Sequence, residues 1–63
     1  MRVIKLHDSN TGLVIRMVAE HIMVYESMMA GTNIFMINDR DYVVDESPEE
    51  LDDMLYVPKN TKE

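Results

Sequence analysis

Apolar and polar residues alternate along this chain in runs of about five, and each run ends in residues that turn the backbone. A period of two over so few residues specifies half-buried β-strands and leaves no early segment long enough for an amphipathic helix. Arg2–His7 sets Ile4 and Leu6 on one side and Val3, Lys5 and His7 on the other. Asp8-Ser9-Asn10-Thr11-Gly12 gathers turn formers, with Asn10 and Gly12 suited to positive φ, and predicts a hairpin. The return strand is expected over Leu13–Met17, with Leu13, Ile15 and Met17 inward and Val14 and Arg16 outward. Val18–His21 breaks the alternation, as a bend or one helical turn would. Ile22–Glu26 then reads as a third strand, and Gly31 marks a turn before a β-branched, aromatic fourth strand over Thr32–Ile37 with a central place in the sheet. Asn38–Asp41 turns the chain again into a short closing strand, Tyr42–Asp45.

The one helix signal is Ser47-Pro48-Glu49-Glu50, with Ser at the N-cap, Pro at the first helical position and Glu at the third. This spacing lets the Ser47 hydroxyl and the Glu50 carboxylate satisfy amides that have no partner within the helix, while the acidic first turn complements the helix dipole. Leu51, Met54 and Leu55 form a narrow apolar stripe. Val57 precedes Pro58, so the helix should stop near Tyr56. The expected fold is mainly β: a strongly curved antiparallel sheet or open barrel of about five strands with one short C-terminal helix. One domain is expected over 1–57, with a flexible tail over 58–63.

A chain of 63 residues holds a single small core, and the absence of Cys excludes disulfides and thiolate metal sites. Self-assembly or docking onto a partner is the remaining route to stability. The expected inner face comprises Ile4, Leu6, Leu13, Ile15, Ile22, Val24, Ile34, Met36, Tyr42 and Val44. The opposite face then carries Val3, Val14, Met23, Tyr25 and Phe35, together with Val43, and is too apolar to leave in water. The first five of these are the expected homo-oligomer interface. No apolar run approaches the roughly 20 residues of a membrane span, and no signal-type segment follows Arg2 and Lys5. The expected location is cytoplasmic, with no membrane partner.

The net charge of −6 is concentrated, because eight acids and one base lie between Asp39 and Asp53. Such a field repels DNA and attracts a basic protein, so Asp45, Glu46, Glu49, Glu50, Asp52 and Asp53 form the candidate acidic docking patch. Three of the six Lys and Arg residues fall in the first half, where acids are few. Arg2, Lys5 and Arg16, with Tyr25 and Phe35 as stacking rings, form a candidate anion-binding set at a subunit interface. The two histidines lack metal-ligand spacing, and Asp8–Gly12 lacks the ligand pattern of a calcium loop. Ser9, Ser27 and Ser47 sit in no nucleophile-elbow pattern, and Ser47 already has a capping task. The expectation is a non-enzymatic oligomer that acts by binding, with no cofactor.

Several segments carry a resemblance beyond these patterns. Val3-Ile4-Lys5-Leu6, the apolar segment ending in His21-Ile22, Gly31–Asp39 and Tyr42–Leu51 resemble the corresponding parts of the FlbD-like family of very short proteins, over about residues 1–55. The family includes flagellar accessory proteins and bacterial and phage relatives. The resemblance implies a small β-rich fold and homo-oligomers, and brings no catalytic residues. Flagellar members are more basic and have a plainer first hairpin, a difference that points away from motility. The acidic, Met-rich composition also looks like that of many small phage-encoded proteins. The alternatives to a general binding role are a flagellar accessory protein and an inhibitor of a host defence system in a bacterial or phage-infected cell. Such an inhibitor would act by acidic mimicry of nucleic acid or by sequestering an anionic nucleotide signal.

Overall fold

The computed structural model describes residues 1–57. The tail expected over 58–63 lies outside them. The described residues form β1 (Val3–His7), β2 (Val14–Val18), a 3-10 turn (Ala19–His21), β3 (Ile22–Ser27), β4 (Thr32–Met36), β5 (Asp41–Val44) and α1 (Pro48–Met54). The strands are antiparallel and divide into a hairpin, β1-β2, and a three-stranded sheet in the order β3-β4-β5. The fourth strand is central, as its composition predicts.

Each turn is built by the residues that signalled it. The Asp8 carboxylate accepts from the amides of Asn10 (2.7 Å) and Thr11 (3.2 Å), and Gly12 takes φ 75° to bring the chain back into β2. Val18 leads into the 3-10 turn, whose Ala19 amide donates to the Arg2 carbonyl and so continues the first hairpin's ladder by one step. In the β4-β5 turn Asp39 takes φ 69°, a conformation that aspartate tolerates better than most residues.

The core consists of Leu6, Met17, Ile34, Met36, Val44 and Leu51, with Ile4, Ile15, Ile22, Tyr25, Tyr42 and Met54 packed around them. Leu51 is supplied by α1, which starts with the expected capping box: the Glu50 amide donates to Ser47 Oγ and the Ser47 amide to Glu50 Oε1. Tyr56 adopts φ 61° just after the helix, and the Val57 amide donates to the Asp52 carbonyl.

Two expected inward residues lie elsewhere. Leu13 precedes β2, in the turn, and is 69% exposed. Val24 faces outward because β3 contains a bulge. Ile22 pairs with Met36 and Val24 with the next residue back, Phe35, so Met23 is an extra residue in the ladder. The bulge reverses the alternation, and Tyr25 pairs with the buried Ile34 and turns inward. Tyr25 therefore leaves the outer face on which unbroken alternation sets it. The correction has a physical logic, since unbroken alternation would also have turned the Glu26 carboxylate toward the core.

The two sheets meet at one seam. Asp8 and Val44 form an isolated antiparallel bridge, the Asp45 amide donates to the His7 carbonyl at 2.9 Å, and the Ser9 amide donates to the Val43 carbonyl at 3.0 Å. Gly31 makes room beside this seam. It has φ 91°, and a Cβ there would lie 2.0 Å from the Val44 carbonyl oxygen. A Cβ added at Gly12 would meet no atom within 4 Å. Gly31→Ala is therefore expected to destabilise by about 2 kcal/mol or more, and Gly12→Ala by about 1 kcal/mol from backbone strain alone. Urea denaturation of the two variants measures the difference.

Candidate binding surfaces

A buried carboxylate tightens the seam from the C-terminal side. Glu46 lies between β5 and the helix cap and is only 9% exposed. Its Oε1 accepts from the His7 amide at 3.0 Å, its Oε2 lies 2.7 Å from His7 Nδ1, and its own carbonyl accepts from the buried Thr32 hydroxyl at 2.7 Å. Burial pushes the Glu46 carboxyl up, but the hydrogen bonds from the His7 ring and backbone outweigh it and leave a net lowering. The His7 ring is raised, first by its hydrogen bond to Glu46, against a smaller loss from desolvation. The sequence marks neither residue as a pair, because they are 39 positions apart.

The expected acidic patch is thus partly consumed by the fold. Glu46 is buried in the seam, which removes it from any docking surface. Glu50 is engaged in the capping box, and Asp52 Oδ1 accepts from the Tyr25 hydroxyl at 2.5 Å. Asp45, Glu49 and Asp53 are exposed. Burial, followed by the hydrogen bond to Asp52, pushes the Tyr25 phenol up to about 12.

The expected oligomer residues separate onto two faces. Val3 and Val14 are exposed at opposite ends of the β1-β2 hairpin, where they pair with Val18 and His7. Phe35 sits on the outer face of the β3-β4-β5 sheet, directly opposite Val24 on one side and Asp41 on the other. Asn33 and Val43 form the neighbouring pair on that face, and Met23 projects from the bulge, 65% exposed.

The expected anion-binding residues also separate. Arg2 is occupied: its backbone amide and Nε meet the Glu20 carboxylate at 3.1 and 3.7 Å, and its guanidinium lies 5.1 Å from the Tyr56 ring centre. Tyr25 points into the fold and Phe35 lies on the other sheet. Lys5 and Arg16 remain together, directly opposite each other on the outward face of β1-β2. Beside Arg16, a cleft of about 320 Å³ runs along β2 to the β4-β5 turn. His21, at the end of the 3-10 turn, lines it too, a role its isolation in sequence did not signal.

Among the described residues, no group of three or more His, Asp or Glu side chains could hold a metal ion, and no helix is long and apolar enough to cross a membrane. No family model, curated protein or solved structure matches the chain.

The His7–Glu46 pair dictates a pH dependence of stability. The contribution from a raised His7 is fully present below its ordinary value of 6.5 and is lost as pH rises through the folded-state value. The contribution from a lowered Glu46 is present above 4.5 and is lost as pH falls through its depressed folded-state value. Thermal melts should therefore give the highest Tm between about 4.5 and 6.5, with a decline at higher pH that Glu46→Gln flattens. Ultraviolet titration should find one phenol ionising near 12 and absent in Tyr25→Phe, a variant expected to lose about 1 kcal/mol of stability with the hydrogen bond.

Proposed function

We propose that this chain is a non-enzymatic binding protein that works as a homo-oligomer, with the outer face of the β3-β4-β5 sheet as the contact between copies. The observation that carries this reading is the apolar surface of Met23, Val24, Phe35 and Val43, which remains on that face even though the bulge takes Tyr25 inward. Met23 and Val24 are 65% and 42% exposed. A single chain of this size buries too small a fraction of its surface to be comfortably stable alone, and association over this face adds apolar burial where the core is thin.

The bulge also favours a face-to-face contact over extension of the sheet from its β3 edge, since a bulged edge strand is a poor template for another strand. Asp41 and Glu26 border the apolar residues on the same face and supply the polar rim of such an interface.

Native mass spectrometry together with sedimentation tests the proposal. Wild-type protein is expected to be a closed oligomer, and Phe35→Glu or Met23→Glu should raise its dissociation constant by about tenfold or more, because an unpaired charge would be buried at the contact. Met23 is exposed, so its replacement leaves the fold intact and separates loss of assembly from loss of folding. A monomeric wild type, or an oligomer unchanged by both substitutions, would remove this face as the interface.

A further inference from the structure

The cleft beside β2 has a chemistry of its own, and none of the residues of the proposed oligomer face lines it. The buried Met17 and Met36 form part of its apolar lining, with Ile15, and their flexible thioethers can adapt to the shape of an occupant. Its volume of about 320 Å³ is enough for a small organic molecule. β2 pairs only with β1, so the cleft opens along a strand edge that carries no other strand among the described residues.

The polar side chains around it carry no carboxylate: Arg16, His21, Asn38 and Tyr42 all contribute to the lining, whereas no Asp or Glu among the described residues does. Asn38 Oδ1 already accepts from the Arg40 amide at 3.2 Å, which leaves its NH2 to donate. The Tyr42 hydroxyl has no hydrogen-bond partner among the described residues, and Arg16 has no ion-pair partner there.

The ladder adds a second, independent sign. Lys5 stands directly opposite Arg16, and like charges at paired positions of an antiparallel hairpin destabilise it. Neither cation has a carboxylate within ion-pair distance among the described residues, in a protein whose net charge is −6. An anion at the mouth of the cleft would relieve this repulsion and gain charge-assisted hydrogen bonds from the guanidinium.

We infer that the cleft between β2 and the β4-β5 turn is a binding site for a small organic anion. The ligand is an apolar or aromatic body seated against Ile15, Met17 and Met36, carrying one carboxylate or phosphate held by Arg16 with Asn38 at the rim. The Lys5 ammonium reinforces the local positive potential from the neighbouring ladder position. Each copy carries this site within one chain, so it does not depend on the proposed oligomer.

Benzoate serves as the probe, with neutral benzamide and inorganic phosphate as comparisons, titrated into isotope-labelled full-length protein and followed by amide chemical shifts. Benzoate is expected to move the amides of residues 15–18, 21 and 36–38 saturably. Its affinity should exceed that of benzamide by about tenfold or more, the value of a charge-assisted hydrogen bond. Phosphate should move the Arg16 and Asn38 amides but saturate at higher concentration, since it leaves the apolar lining empty. Arg16→Gln, at an exposed position, should bring benzoate down to the benzamide level. The inference is overturned if benzoate leaves these amides unmoved at millimolar concentration, if benzamide binds as well, or if Arg16→Gln binds benzoate as tightly as wild type. Sedimentation of the same samples reports the oligomer separately, so failure of the cleft and failure of the interface are read independently.

Discussion

Everything in this domain depends on how a two-stranded hairpin is held to a three-stranded sheet. A hairpin alone is marginal in water, and β1-β2 has too little apolar surface to stand without its partner. The join is narrow: one β-bridge between Asp8 and Val44, flanked by the backbone bonds of Asp45 and Ser9. Glu46 reinforces it by accepting from both the backbone and the ring of His7, while Thr32 holds the Glu46 carbonyl from β4. Three segments distant in sequence are fixed at one point. Around it, Leu6 from β1, Ile34 and Val44 from the sheet, and Leu51 from α1 are all fully buried.

This use of a carboxylate explains the charge distribution. The dense acidic segment reads in sequence as one surface, but its members perform different tasks. Glu46 is a buried clamp, Glu50 caps a helix, and Asp52 holds the Tyr25 hydroxyl. A buried charge of this kind is tolerated because its oxygens are satisfied by hydrogen bonds from the His7 amide and ring. The basic residues divide similarly. Arg2 is taken up by Glu20 and Tyr56, whereas Lys5 and Arg16 face each other without a counterion among the described residues.

Much of the fold was legible because its signals are local. Alternation located all five strands, Asp8–Gly12 specified the first turn, and Ser47, Pro48 and Glu50 specified the helix start to the residue. The misreadings came from interactions that local patterns do not contain. The Met23 bulge shifts every later residue of β3, moving Val24 out and Tyr25 in, and its only trace in sequence was the awkward inward placement of Glu26. Leu13 looked inward by parity but belongs to the turn. The candidate sites were less legible than the fold. Residues 16, 21, 38 and 42 converge on one cleft only after three reversals of the chain, and no spacing rule links them.

The most direct test of the seam is native-state hydrogen exchange of individual amides, since it asks whether the two sheets open together. The amides of Asp45 and Ser9, which cross the seam, should exchange as slowly as those of the buried positions Leu6 and Ile34, with one common opening free energy. Fast exchange at Asp45 and Ser9 while Leu6 and Ile34 remain protected at different levels would contradict this account, because the hairpin and the sheet would then be separate folding units.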